Sequence, residues 1–190
     1  MRTKFIRAII RKRSALVVAR IWSYIKSSKK IIDIGSGTGD VACLLIERGK
    51  RVTPVDVADF HGPRMIKTII YDGVTLPFAN QSFETALLLM VLHHTPNPKT
   101  VFAEAARVAK EIVVIETSYT TSINRLLTII SDVLGNLRLD AQWSSYKTDR
   151  AWKMFFANRG FVITTTRQYW DRNFGVIPFL HILYYLQKKK

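Results

Sequence analysis

Cysteine is almost absent from this chain. Cys43 is the one cysteine in 190 residues, which excludes a disulfide framework and a cysteine-rich zinc site. The chain suits a reducing compartment, and Cys43 itself reads as a small core residue. Acid is missing from the first thirty residues, which hold ten Lys or Arg and no Asp or Glu. No His/Asp cluster has metal-ligand spacing, so no metal is expected. No apolar run, at the N-terminus or over 174–186, is long and unbroken enough to span a bilayer. Arg20 splits the N-terminal apolar stretch and no small-x-small site follows, so a cleaved signal peptide is not expected. Internal repeats and linkers are lacking too. What remains is 48% hydrophobic, enough for a packed core, at a length usual for one domain.

The positive charge is local. The net charge is +15, but beyond residue 30 there are 19 basic and 14 acidic side chains. Thr3 is placed to cap a helix with Phe5, Ile6, Ile9 and Ile10 on one face. Ser14 is placed to cap a second, with Val18, Ile21, Trp22 and Ile25 at helical spacing. Four readings of these basic amphipathic helices, over 1–28, stand side by side. They cover the sheet behind them, or residues 1–13 lie on an anionic membrane. Otherwise they form a presequence or a basic arm for nucleic acid.

The organising stretch is Ile31-Ile32-Asp33-Ile34-Gly35-Ser36-Gly37-Thr38-Gly39-Asp40. It reads as a buried strand, a glycine-rich turn and a helix start running to Gly49. Alternate glycines let the backbone turn sharply and let a ligand approach where a Cβ would collide. The N–H groups of the following helix face that ligand. The dinucleotide pattern Gly-x-Gly-x-x-Gly fails, because Asp40 stands at the third glycine's place. A second acid, Asp56, ends the next strand 21 residues past Gly35, where a ribose partner is wanted. Pro54 lies inside that strand, so the strand is expected to be short or bulged.

The pattern Asp33-x-Gly35-x-Gly37-x-Gly39 resembles motif I of class I S-adenosylmethionine (SAM)-dependent methyltransferases. The segment Ile69-Ile70-Tyr71-Asp72-Gly73 is similar to that family's third-strand segment, where an acid accepts from the adenine amine. Phe83-Glu84 stands where the family usually has Phe-Asp, and Ala86–Leu92, Glu104–Val108 and Ile112–Ile115 continue in register. The resemblance covers about residues 30 to 116 and is nearest to the small-molecule branch that includes quinone-biosynthesis enzymes. It implies a Rossmann-like, doubly wound, mostly parallel α/β sheet of seven strands, order 3-2-1-4-5-7-6, with strand seven antiparallel. Residues 29–190 would form a single such domain, with a lid insert at about 117–147. SAM is the implied cofactor and S-adenosylhomocysteine (SAH) the product. The implied cofactor-binding residues are Asp33, Gly35, Ser36, Gly37, Gly39, Asp56, Val57, Asp72, Gly73 and Met90.

Later segments read as follows. Ile123, Leu126, Leu127, Ile130 and Val133 have helical spacing, stopped at Gly135-Asn136, and 136–147 reads as loop, with Trp143 and Tyr146 available to cover a pocket. Thr148 caps a helix over 149–158, Phe161–Thr166 reads as strand six, and the last strand lies within 174–186 with a break at Pro178.

Methyl transfer needs positioning and, for a neutral hydroxyl, removal of a proton. His93 and His94 follow strand four, and either is a candidate general base, His94 being preferred. Adjacent residues on an extended chain point to opposite sides, so only one would face the acceptor unless the chain turns first. Thr95-Pro96-Asn97-Pro98 does not match the Asn-Pro-Pro-Tyr of base-amine methylation, and Cys43 is misplaced for cytosine C5 chemistry. The expected function is methylation of a small, lipophilic acceptor, most readily at oxygen, by a cytoplasmic protein with a membrane-associating N-terminus. The alternatives are an RNA methyltransferase guided by the basic N-terminus and a non-catalytic SAM-binding partner protein.

Overall fold

A computed structural model describes residues 2–60, 66–128, 145–173 and 177–189, with backbone alone for 2–7, 172–173 and 177–179. Four helices have full bounds: α1 (Arg2–Ile25), α2 (Asp40–Ile46), α3 (Pro98–Val108) and α4 (Asp149–Ala157). The strands are β1 (Lys30–Ile34), β2 (Arg51–Asp56), β3 (Ile69–Ile70), β4 (Phe83–Leu89), β5 (Ala109–Ser118), β6 (Phe161–Asn173) and β7 (Ile177–Lys188). They form one seven-stranded sheet of order β3-β2-β1-β4-β5-β7-β6. β1 pairs in parallel with β2 and β4, β2 with β3, and β7 lies antiparallel to β6. The expected sheet order and strand-seven direction are therefore what the chain adopts. The described residues fall into two compact units, Met1–Leu89 with Glu104–Val113, and Met90–Ala103 with Val114–Lys190.

In the first unit, β1 is buried from Ile31 to Ile34. A strand covered on both faces reads as an apolar run rather than an alternation. α1 is one helix of 24 residues, not the two expected. No Gly or Pro lies between Ile10 and Leu16, and a lone serine does not stop helix propagation. Ser14 is instead buried within it, in line with Val17, Val18, Ile21 and Ile25. Lys50 Nζ donates to the carbonyls of Lys26 and Ser28 at 2.6 and 2.8 Å, just past the end of α1. A cation there satisfies carbonyls that the helix leaves open.

Pro54 does not shorten or bulge β2. The carbonyl of Val55 faces β1 and that of Asp56 faces β3, so Pro54 also points toward β3. β3 pairs only with Val55 and Asp56, so the missing N–H falls before that ladder begins. Strand four also differs from expectation: it spans Phe83–Leu89 instead of reaching Leu92.

The second unit is built on aromatic packing. Phe102 lies 5.5, 5.3 and 5.1 Å, ring to ring, from Phe155, Phe156 and Phe161. Trp152 is fully buried, and its indole N–H donates to the Thr117 carbonyl at 3.4 Å. Thr148 caps α4 as expected, accepting from the Ala151 N–H at 3.3 Å. β6 runs on to Asn173, and β7 carries Pro178 unbroken at its second position, paired with Arg172. Proline is tolerated at a strand start. The segment 122–128 is helical. Most of the expected lid, with Trp143, Ile130, Val133 and the Gly135-Asn136 stop, lies outside the described residues.

Phe102→Ala should cost about 3–5 kcal/mol, because it removes a ring at the centre of this cluster. Urea denaturation of wild type and variant measures it, and a loss below about 1 kcal/mol would refute the central role.

Candidate active site

The first unit holds the glycine loop. The N–H groups of Gly35 and Ser36 both donate to the Val55 carbonyl, at 2.8 and 3.1 Å. Gly35, Gly37 and Gly39 have φ of 72°, 53° and 74°, a region glycine enters at no steric cost. A Cβ on Gly37 or Gly39 would meet nothing within 4 Å. The backbone angle therefore calls for glycine there, and the space in front of both stays open. α2 opens with Asp40, whose carboxylate accepts from the Thr38 hydroxyl at 2.7 Å. That negative charge disfavours an anionic ligand at this turn.

Asp56 ties the loop down. Its Oδ2 accepts from the Gly37 N–H at 2.8 Å and its Oδ1 from the Val57 N–H at 2.7 Å. A carboxylate oxygen can accept twice, so Asp56 can hold the loop and still receive a ligand hydroxyl. Asp33 is 2% exposed, and its Oδ2 has no hydrogen-bond partner among the described residues. The Ser36 hydroxyl oxygen is also buried without one. Burial, and secondarily the Asp56 charge, push the Asp33 carboxyl up to about 7.

Asp72 is exposed, and its Oδ1 accepts from the N–H groups of Val74 and Thr75 at 2.8 and 2.7 Å. Those two bonds hold its carboxyl below the usual carboxylate range. Gly73 has φ 77°, and a Cβ there would stand 3.3 Å from Val57 Cγ1. Val57 itself is 56% exposed. Thus the structure gathers nine of the ten expected cofactor residues in this unit; Met90 belongs to the other.

In the second unit the chain turns as soon as β4 ends. Met90 has φ 61°, uncommon for a residue with a side chain, and its N–H donates to the Ile115 carbonyl at 2.7 Å. Glu116, fully buried, accepts from the N–H groups of Val91 and Leu92 at 3.2 and 2.7 Å. Its other oxygen lies 2.5 Å from Nδ1 of His93, which is 1% exposed. The rings of His93 and His94 are 4.1 Å apart, and Tyr146 packs 4.9 Å from His93. The two histidines therefore do not point to opposite sides, because the turn at Met90 comes before them. His94 is exposed and His93 is the buried one. Glu116 has no role in the sequence analysis. The available signal was an acid closing the apolar run Ile112–Ile115.

An open α/β sheet with a glycine turn after β1 and an acid ending β2 defines a nucleoside-binding class of fold. The family described as a methyltransferase domain matches residues 6–166, and the chain belongs to that family. A ubiquinone biosynthesis O-methyltransferase of Idiomarina loihiensis is 31% identical over 93 residues, 43% of this chain and 38% of that protein. A ubiquinone/menaquinone biosynthesis C-methyltransferase of Rhizobium rhizogenes is 29% identical over 98 residues, 44% of this chain and 38% of that protein. The chain thus spans about two fifths of the length of the curated relatives it matches. Among solved structures, a SAM-dependent methyltransferase of Methanosarcina mazei aligns with TM-score 0.67 and 18% identity, covering 89% of this chain and 96% of that one. Magnesium protoporphyrin IX methyltransferase of Synechocystis, solved with bound SAH, aligns with TM-score 0.64 and 17% identity over 97% and 86%. The [4+2]-cyclase SpnF aligns with TM-score 0.68 and 13% identity over 94% and 80%. At these identities the likeness is one of fold.

The Asp33 carboxyl gives a signed expectation. Its folded pKa, about 7, lies above the unfolded value near ~4. The folded state keeps the proton longer, so this group lowers stability as pH rises from about 4 to about 7, and the loss is complete above that window. Asp33→Asn should therefore stabilise the protein at pH 8, by on the order of 2 kcal/mol, and change little at pH 4. Urea denaturation at both pH values tests this, and an equal difference at both would contradict it.

Proposed function

We propose that this chain binds SAM at the glycine loop of the first unit and methylates a small, lipophilic acceptor. The observation that carries the reading is the buried Asp33 Oδ2, without a partner among the described residues, beside an open glycine turn. A cationic ammonium satisfies such an oxygen and draws the carboxyl to its charged form. Asp56 would receive the ribose hydroxyls, and Asp72 the exocyclic amine of adenine. Val57, exposed next to Gly73, offers an apolar face to the base. When bound, SAM supplies a methyl carbon activated by its sulfonium.

The proton acceptor in this reading is His93. With Glu116 accepting from Nδ1–H, the imidazole is held in the tautomer whose lone pair is on Nε2. His93 lies in the loop beyond the carboxyl end of β4, where ligands of open α/β sheets bind. A hydroxyl acceptor is favoured because it has a proton to lose and a buried, carboxylate-held imidazole is built to take one. The naming of two relatives for ubiquinone biosynthesis supports a lipophilic ring as acceptor. His94, tilted against His93 and exposed, is the weaker candidate.

Calorimetry and a labelled methyl-transfer assay with hydroxylated aromatic acceptors test the reading. Asp56→Ala should weaken SAM and SAH by roughly tenfold to a hundredfold. His93→Gln should keep that affinity and lower turnover about 10²–10⁴-fold. Binding without turnover on any acceptor would make the chain a SAM-binding partner protein instead, and no binding would end the proposal.

Residues 1–13 are proposed to add affinity for an anionic membrane. Ile9 and Leu16 are 46% and 48% exposed on α1, with Lys12 and Arg13 exposed between them on the same face. Among the described residues no helix is long and apolar enough to cross a membrane. Each basic residue near such a surface contributes about 1 kcal/mol. Deleting residues 1–13 should abolish co-sedimentation with anionic vesicles at low salt and leave SAH affinity intact. It also removes the exposed Arg11–Glu47 pair, 3.0 Å apart, worth at most about 1 kcal/mol. Full-length protein that stays in the supernatant would reduce α1 to a cover.

A further inference from the structure

The loop after Asp72 is held by side chains of α3 in a way that neither the glycine motif nor the acids explain. Three successive amides, of Val74, Thr75 and Leu76, each donate to a carboxylate. The first two go to Asp72 and the third goes to Glu104 Oε2 at 2.7 Å. Glu104 is itself clasped in bidentate fashion by Arg107, Nε to Oε1 and Nη2 to Oε2, both at 2.7 Å. The remaining Arg107 donors reach back across the same loop. Nη2 donates to the Leu76 carbonyl at 2.9 Å, and Nη1 to the Phe78 carbonyl at 2.7 Å and Asn80 Oδ1 at 3.0 Å. The Arg107 carbonyl closes the circuit by accepting from the Gln81 N–H at 2.9 Å. Glu104 is held below the usual carboxylate range, mainly by Arg107.

This is more hydrogen bonding than an exposed surface loop needs, and it acts on the atoms next to Asp72. Only a planar fork with five donors can hold Glu104 and two carbonyls together. The Asx turn that fixes the Asp72 carboxylate ends at Thr75, one peptide before the first clamped group. Slack in the clamp would free the Thr75 and Val74 amides and let the Asp72 side chain swing into solvent.

We propose that Glu104 and Arg107 are positioning residues that set base selectivity: by fixing the 72–81 loop they hold the Asp72 carboxylate where it accepts from an exocyclic amine. The inference rests on the reading that this unit binds SAM and SAH. An amine donating to a fixed carboxylate favours adenine over hypoxanthine, which carries a carbonyl at that place and repels the acid.

The test compares SAH with S-inosylhomocysteine, its deaminated analogue, by calorimetry on the full chain. Wild type should prefer SAH by roughly tenfold to a hundredfold. Arg107→Met should reduce that preference to below about threefold, while the affinity for S-inosylhomocysteine stays near the wild-type value. A general loss of structure would weaken both ligands alike and is read separately from the melting curve. Arg107→Lys keeps the charge but not the fork, and should behave like Met. It also serves as the milder variant if Met does not fold. Full preference retained in both variants would overturn the clamp, and full rescue by Lys would show that charge alone suffices, which also overturns it. Failure of wild type to bind SAH would refute the underlying reading first.

Discussion

The end of β2 fixes the shape of the first unit's glycine loop. The Val55 carbonyl takes two consecutive N–H groups from the turn after β1, and the Asp56 carboxylate takes a third, from Gly37. A chain held this way cannot stay extended, so its residues fall into left-handed backbone at Gly35, Gly37 and Gly39. That is the physical content of the glycine spacing: the partner strand pulls the turn tight, and residues with a Cβ would resist it. The same bonds bring the Asp56 carboxylate near Asp33 and help raise the Asp33 carboxyl. Loop geometry and electrostatics are thus one constraint seen twice.

That constraint was largely legible in the sequence. The acid, the three glycines and the second acid 21 residues past Gly35 are local chemistry at fixed offsets, and local chemistry survives folding. The strand order followed from the family that these residues resemble. Elements whose form depends on tertiary partners were less legible. Pro54 looked disruptive because its sequence does not say which way its nitrogen faces, and β3 starts too late to need it. Ser14 looked like a cap because its side chain suits one, yet nothing around it breaks the helix. The end of β4 was misplaced because Met90, Val91 and Leu92 are apolar enough to be strand. The turn is imposed by Glu116 and Ile115, which the chain reaches only some 25 residues later.

The histidine pair shows the cost of that misplacement. On an extended chain His93 and His94 would diverge, and neither would have a marked advantage. After the turn, His93 is buried against Glu116, and His94 is exposed with its ring tilted against that of His93. The proposed preference for His93 rests on a contact between residues 23 apart in sequence, and no local pattern encodes such a contact. An acid at the end of an apolar strand is the one readable hint, since a buried carboxylate must find donors.

The acids of this chain follow a pattern that singles out Asp33. In a protein with net charge +15 and 14 acids, carboxylates have many side-chain cations to choose from. Yet Asp56, Asp72, Glu84, Glu104 and Glu116 all accept from backbone N–H groups of turns and strand ends. Each fixes a connection by satisfying amides that no ladder reaches, and a charged acceptor makes such bonds strong. These acids explain the architecture, because each meets its donors within the chain. Asp33 breaks the pattern. It sits inside the central strand β1, excluded from water, with an oxygen that no described protein group meets. Burying a carboxyl that way lowers stability, and packing alone gives no reason for it, since the positions beside it are isoleucines. On the proposed reading, the oxygen that has no partner among the described residues is the one that meets the ammonium of the cofactor. In that reading the burial of the carboxyl and the open glycine turn act together, because a cation reaching Asp33 has to arrive on a ligand that fills the turn.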